Sequence, residues 1–277
     1  MIGTKEGYNN LLYYLKSRGL DLSGYKQPHI MRRLIPLCRR LKIESLRDLE
    51  LEMRKNPYLI DDVAQAFSIN VTRFFRNQDS WEALRQAILS SYIAHRLKIG
   101  QRIRIWSAGC ANGCEPYSIA IMFTKMFEFD VIRRKVEILA SDKNSKVLDE
   151  AKKGIYLPVH LQETDPLFIS RYFTKNDDNT GHHSLIPKIK ELVTFQRLDL
   201  LADPFPEKID LLLCRNVLIY FTREAQETVF RGAYECLVGD GIFMIGRTEN
   251  LPFYESEKFS FHTISDAHRL YQKSQSS

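Results

Sequence analysis

The sequence predicts an α/β protein: a doubly wound open sheet carrying an inserted small antiparallel β-subdomain, preceded by an all-α N-terminal domain. Three observations carry this. From about residue 102 onward, short β-prone runs alternate with helical stretches, as in a mostly parallel sheet covered by helices on both faces. The run Ile209-Asp210-Leu211-Leu212-Leu213-Cys214 is nearly continuous in apolar residues, as expected of a parallel strand buried on both sides. Residues 1 to about 95 show only the helical period. The expected division is a helical domain over 1–77 and an α/β domain over 78–277, with the β-insertion at about 158–193.

In order along the chain, Tyr8 to Leu15 is helix-compatible and ends near Gly19. Residues 30–42 carry Ile30, Leu34, Leu37 and Leu41 at helical spacing, with Pro36 expected to kink or break the helix. Ser45 is a plausible N-cap for the next helix, which Asn56-Pro57 terminates. Tyr58 to Phe67 is short and amphipathic, and Gln78 to Leu97 reads as one long helix. Arg102 to Trp106 alternates and runs into the turn Ser107-Ala108-Gly109, with a helix from Pro116 to Phe127. Val136 to Ala140 is a second strand, and Ser145 to Lys153 a helix stopped by Gly154. The turn cluster Asn176 to Gly181 breaks the alternation and marks the β-insertion. A helix from Arg223 to Leu237 and a strand from Ile242 to Ile245 follow the apolar strand.

Composition excludes several classes. Hydrophobic residues make up 44% and charged residues 27%, so the chain is globular rather than disordered. No apolar run reaches the ~18–20 residues that cross a bilayer, and the N-terminus lacks a signal-peptide core; the expected location is cytoplasmic, with no membrane insertion. The five cysteines are odd in number and scattered, so free thiols are expected rather than a disulfide framework. Cys110 and Cys114 have no neighbouring set to complete a zinc site, and no metal is expected.

Charge is localised. The net charge is +6, yet Lys16 to Lys42 holds eight basic residues against Asp21 alone, which is +7; the remainder is therefore 6 − 7 = −1. In the helical projection Arg32 and Arg39 fall opposite the apolar stripe, and Arg33 and Arg40 flank it. Such a face is either a solvated helix surface or a docking surface for an acidic partner, nucleic acid or protein.

In a doubly wound sheet, ligands bind beyond the carboxyl ends of the strands. Three strand ends here are polar. The first, Trp106 to Ser118, has Gly109 and Gly113 before a helix but not the spacing of a dinucleotide loop. Glu115 there would repel a pyrophosphate and attract an ammonium, or would serve only the helix dipole. The second is Asp142, 29 residues after Gly113, suited to a ribose diol or to a simple turn. The third is Cys214-Arg215-Asn216 with Tyr220 beyond, a site floor or a satisfied structural network. A glycine loop, a carboxylate for a cation and a carboxylate for ribose together suggest an adenosine ligand with an amino-acid tail, which fits S-adenosylmethionine.

Five blocks also resemble a known family. Asn70-x-Thr72-x-Phe74-Phe75-Arg76, Trp106-Ser107-Ala108 through Glu115-Pro116-Tyr117-Ser118, Ala140-Ser141-Asp142, Cys214-Arg215-Asn216-Val217-x-Ile219-Tyr220-Phe221 and Glu249-Asn250 look like those of CheR-type chemotaxis receptor methyltransferases. The resemblance implies a class I, Rossmann-like methyltransferase domain and esterification of receptor glutamates with S-adenosylmethionine, leaving S-adenosylhomocysteine. Matched by motif, Asn70, Thr72, Arg76 and Gly109 would line the cofactor site. Glu115 would take the amino group, Asp142 the ribose, and Asp199 and Leu200 the adenine; Arg215 and Asn216 would complete the pocket. Arg76 and Tyr220 would be catalytic, and Arg32, Arg33, Arg39 and Arg40 would dock acidic cytoplasmic receptor helices. The chain departs from the family in having Asp199 where Asn is common, Gly109 to Cys114 where Ser, Thr and a second Glu are common, and Gly246-Arg247-Thr248 for Gly-His-Ser.

A glutamate with a pKa of about 4.3 is already an anion at neutral pH, so its methylation needs alignment and no general base. The expected protein is a monomer that binds no nucleic acid. The competing readings are a nucleic-acid methyltransferase whose basic segment grips phosphates, and a non-catalytic module that binds the cofactor or an acidic helix.

Overall fold

A computed structural model describes residues 4–67, 72–176, 180–251 and 259–274. The chain divides into two compact units, residues 1–69 with Tyr220–Gln226, and residues 70–219 with 227–277. The sequence reading placed that boundary eight residues later, at 77/78. The later residues belong to the second unit because their backbone is bonded there: Phe74 N donates to the His160 carbonyl at 2.9 Å and Phe75 N to Ser118 Oγ at 3.0 Å.

The first unit is built from α1 (Lys5–Ser17), α2 (Gln27–Leu41), α3 (Leu46–Lys55) and α4 (Leu59–Ala66). Their apolar stripes meet around Leu11, Leu15, Ile30, Leu34, Leu49 and Val63, all fully buried. Side-chain caps fix two starts: Thr4 Oγ1 accepts from Gly7 N, and Ser45 Oγ from Asp48 N, each at 3.1 Å. Pro36 marks no break, because α2 is continuous through it. The one backbone bond it removes would have gone to the Arg32 carbonyl. Pro36 and Arg32 are both exposed, so water takes that carbonyl while Ile30, Leu34 and Leu37 stay packed.

The segment Tyr220–Gln226 is stitched into this helical unit. Lys26 N donates to the Tyr220 carbonyl at 2.9 Å and Thr222 N to the Gly24 carbonyl at 2.8 Å. The Tyr220 ring lies 4.3 Å from the His29 ring, and Phe221 packs edge-on against Tyr25 at 5.1 Å.

In the second unit, α5 (Gln78–Ser90) and α6 (Tyr92–Lys98) replace the single helix expected over 78–97. Ser91 is extended, and its hydroxyl donates to the Ile88 carbonyl at 2.8 Å and accepts from Ile93 N at 3.2 Å. These local bonds compete with the helical ladder and end it. There follow β1 (Ile103–Ala108), α7 (Cys114–Met126), α8 (Phe129–Lys135), β2 (Val136–Asp142) and α9 (Ser145–Lys153). Then come β3 (Ile155–Tyr156), α10 (Pro166–Tyr172), β4 (Phe173–Lys175), β5 (His183–Leu185), α11 (Pro187–Lys190) and β6 (Val193–Arg197). The chain ends with β7 (Ile209–Cys214), α12 (Arg223–Cys236), β8 (Leu237–Ile245), β9 (Phe261–Ser265) and β10 (Leu270–Lys273). Neither α8 nor the pair β9–β10 was expected from sequence, and β8 begins at Leu237 rather than Ile242.

The main sheet has the order β6-β2-β1-β7-β8-β10-β9. Its first five strands are parallel, and β10 is antiparallel to both neighbours. The insertion forms a separate antiparallel sheet, β3-β5-β4, whose strands lie between Ile155 and Leu185. Strand order reverses between β1 and β7, and in open α/β sheets ligands bind beyond the carboxyl ends of the strands at such a point. Asp210, 2% exposed, anchors the opposite ends. Its carboxylate accepts from Tyr92 Oη at 2.9 Å, Arg104 N at 2.7 Å and the Arg96 guanidinium, tying α6 to β1 and β7.

Candidate functional site

The site is assembled from strand ends that bond to one another. At the end of β1, Gly109 N and Cys110 N both donate to the Ser141 carbonyl, at 2.8 and 2.9 Å. Asp142 ends β2. Its two carboxylate oxygens accept from Ala111 N at 3.0 Å and Asn144 N at 2.9 Å, and its carbonyl accepts from Leu198 N at 3.1 Å. The β1 loop, the β2 end and the segment after β6 therefore converge on Asp142. Leu200 is buried beside that segment, and Asp199 turns it, its Oδ1 accepting from Leu201 N at 3.0 Å. Gly109 takes φ +72°, and a Cβ there would lie 2.5 Å from Val217 Cγ2, so the glycine is required by both backbone and space.

Glu115 occupies the first turn of α7, where the helix dipole favours an anion. Ser107 Oγ donates to its Oε1 at 2.8 Å, and Arg215 Nη1 lies 3.6 Å from its Oε2. The two side chains are only 14% and 3% exposed. Burial pushes the Glu115 carboxyl above its ordinary value, against the pull of Arg215 and the Ser107 hydroxyl. Asp142 is raised for the same reason, opposed by its backbone donors.

Arg215 is held from the other side by the loop before α5. Its Nη2 donates to the Arg76 carbonyl at 2.9 Å, and its guanidinium carbon stands 5.5 Å from the Trp81 ring centre. Its Nε is buried with no hydrogen-bond partner among the described residues. The loop is fixed by Glu163, which accepts from Asn77 N at 2.7 Å and pairs with Arg73 at 3.1 Å. The Cys114 thiol is buried, which suppresses its ionisation. All five cysteines are free and buried.

Of the residues singled out from sequence, Thr72, Arg76, Gly109, Glu115, Asp142, Asp199, Leu200, Arg215 and Asn216 belong to this one unit. Asn70 lies outside the described residues. Tyr220 and Arg32, Arg33, Arg39 and Arg40 belong to the first unit. On α2, Arg32, Arg39 and Arg40 are exposed, while Arg33 is half-buried with its Nε unpartnered. Sequence reasoning gave no role to Ser107, Glu163 or Glu249, although Ser107 and Glu249 stood inside its motifs. Neither spacing nor periodicity marks a residue whose work is to hold a neighbour.

The donor set fits S-adenosylmethionine. Two part-buried carboxylates suit an ammonium and a ribose diol, and the Arg215 N–H left unpartnered among the described residues suits a carboxylate. A pyrophosphate would meet Glu115 instead of free helix N–H groups. A cleft of about 610 Å³ elsewhere in the unit is lined by Phe75, Trp81, Glu163 and Phe168 among others, but not by Glu115, Asp142 or Arg215.

Comparison with known proteins agrees with this reading. Residues 70–267 match the family model described as CheR methyltransferase, SAM binding domain. A chemotaxis protein methyltransferase of Listeria monocytogenes is 32% identical over 233 residues, covering 84% of this chain and 85% of that protein. Chemotaxis protein methyltransferase 1 of Pseudomonas aeruginosa is 32% identical over 246 residues, covering 86% and 88%. A chemotaxis protein methyltransferase of Borreliella burgdorferi is 31% identical over 252 residues, covering 88% and 85%. With its class I sheet, its inserted β-subdomain and a cofactor-type donor set at the switch point, the chain belongs to the CheR family of S-adenosylmethionine-dependent methyltransferases.

Proposed function

We propose that this protein methylates glutamate side chains on the cytoplasmic helices of chemotaxis receptors, giving glutamyl methyl esters, and that it works in the cytoplasm. The observation that carries the reading is the pairing of part-buried Glu115 with buried Arg215, which also bonds the Arg76 carbonyl, in a chain whose relatives are named chemotaxis protein methyltransferases. Among the described residues no helix is long and apolar enough to cross a membrane.

S-adenosylmethionine, when bound, supplies an electrophilic methyl group on a sulfonium. Glu115 holds the ammonium end, Asp142 the ribose hydroxyls, and Arg215 with Asn216 closes the pocket. Asp199 and Leu200 would take the adenine. Arg76 pairs with the acceptor carboxylate and leaves one of its oxygens facing the reacting carbon. Tyr220, on the strength of its motif, steers that oxygen. No residue needs to remove a proton, because the acceptor is ionised at neutral pH. Alignment and water exclusion remain as the enzyme's work, and alignment can lower a barrier by ~7–11 kcal/mol. The exposed arginines of α2 meet the acidic faces of the receptor helices.

The test supplies labelled S-adenosylmethionine to the purified protein with a chemoreceptor cytoplasmic fragment, and in parallel with bulk RNA. Label on the fragment, released as methanol by mild base, is the expected result, since carboxyl methyl esters hydrolyse and methylated bases do not. Base-stable label on RNA would replace the proposal with nucleic-acid methylation.

A further inference from the structure

Glu249 follows β8, is 3% exposed, and is surrounded by backbone N–H groups. Its Oε2 accepts from Asn216 N at 3.0 Å and from Gly246 N, and its Oε1 accepts from Ile219 N at 3.2 Å. One carboxylate thus gathers the amides of the turn that leaves β7 and the turn that leaves β8. Asn216 sits in the left-handed region at φ +62°, which asparagine adopts more readily than other non-glycine residues. The clamp has no slack. A Cβ on Gly246 would lie 2.6 Å from Glu249 Oε2 and 2.8 Å from both Asn216 N and Asn216 Nδ2.

We propose that Glu249 is a positioning residue for the cofactor pocket: its carboxylate sets the backbone of Asn216–Ile219 and so presents the Asn216 side chain to the ligand. Burial raises the Glu249 carboxyl, and the backbone amide donors oppose that shift. Charge-assisted bonds of this kind are about twice as strong as neutral ones. The inference rests on the reading of Asn216 as a cofactor residue.

The experiment compares E249Q, G246A and N216A, measuring the dissociation constant for S-adenosylhomocysteine and the Michaelis constants for S-adenosylmethionine and for the receptor fragment. Glu249→Gln keeps the size but turns a donor toward the amides; Gly246→Ala forces the same contacts apart from the opposite side. Both are expected to weaken S-adenosylhomocysteine about 10- to 100-fold, the usual cost of losing a group that orients a ligand-binding side chain. Both should raise KM for S-adenosylmethionine and leave KM for the receptor unchanged. A purely structural role would lower only the active fraction, so turnover would fall with both Michaelis constants and the dissociation constant unchanged, and the proposal would be overturned. If N216A alone weakens the ligand, the clamp is wrong and the site is right. If N216A binds as the wild type does, the reading of Asn216 has failed, and the clamp with it.

Discussion

At the scale of single residues, charges held out of water decide what the site accepts. Glu115 and Asp142 sit above their ordinary values of 4.5 and 3.8 because burial disfavours the ions. A raised carboxyl binds its proton more tightly in the folded protein than in the unfolded chain. Without a bound cation, each therefore subtracts stability as pH rises through its folded value. A bound ammonium reverses the preference by demanding ionised Glu115. Affinity for S-adenosylhomocysteine should thus fall on acidification, starting at a pH above 4.5, as calorimetric titration across pH 5 to 8 would show. Glu115→Gln should weaken binding roughly 10- to 100-fold, as expected for a charged hydrogen bond, and flatten most of the pH dependence. An unchanged profile would mean that Glu115 serves only the helix dipole. Arg76 makes the opposite prediction. Its side chain is assigned to the acceptor, and its carbonyl accepts from Arg215 Nη2. Arg76→Ala should therefore cost about 100-fold or more in turnover, as misalignment of a reacting group does, while S-adenosylhomocysteine binding changes little. Equal losses in both would make it a cofactor residue.

At the scale of elements, the turn between β1 and α7 is the most demanding piece of backbone in the site. Gly109→Ala should cost ~1–2 kcal/mol for the left-handed backbone and a further ~1–3 kcal/mol for the overlap with Val217, read by urea unfolding. Trimming Val217 to alanine should relieve the second part alone, so the double variant should be more stable than the sum of the two singles. Strict additivity would show that Val217 is not what excludes a side chain there. This turn also shows where sequence was informative. Strands β1, β2 and β7 were legible because each runs into a polar turn and β7 is apolar along nearly all its length. Gly109, Glu115 and Asp142 followed from those strand ends. Pro36 and Ser91 misled in opposite directions. A proline ends a helix unless its freed carbonyl faces water, and a serine continues one unless its hydroxyl finds backbone partners, and neither condition is written in the pattern. The strands β9 and β10 were missed because their residues do not form an apolar run: most of β9 is exposed and only Leu270 and Tyr271 of β10 are buried. Glu249 was visible as a motif letter, but besides Gly246 N its amide partners, Asn216 N and Ile219 N, come from a loop 30 to 33 residues earlier in the chain.

At the scale of the whole molecule, the basic excess and the proposed cofactor residues fall in different units. The excess of +7 lies within residues 16–42 of the first unit, while the residues proposed to hold the cofactor belong to the second. Substitutions on α2 should therefore change encounter with the acceptor and leave cofactor binding alone. Arg32 and Arg39 are the cleanest probes, because both are exposed and neither makes an ion pair among the described residues, whereas Arg40 lies 3.9 Å from Asp62. Steering by exposed charge raises association by about 10- to 1,000-fold and is screened over ~10 Å at 0.1 M salt. For the wild type, kcat/KM toward a receptor fragment should thus fall steeply between 20 and 300 mM salt. The R32E/R39E variant should start several-fold lower and fall much less, with turnover at saturating receptor and S-adenosylhomocysteine affinity both retained. Identical salt slopes for the two proteins would remove α2 from receptor docking and leave its arginines as an ordinary solvated face. Loss of cofactor affinity in the variant would contradict the division itself, because it would make charges of the first unit part of the second unit's site.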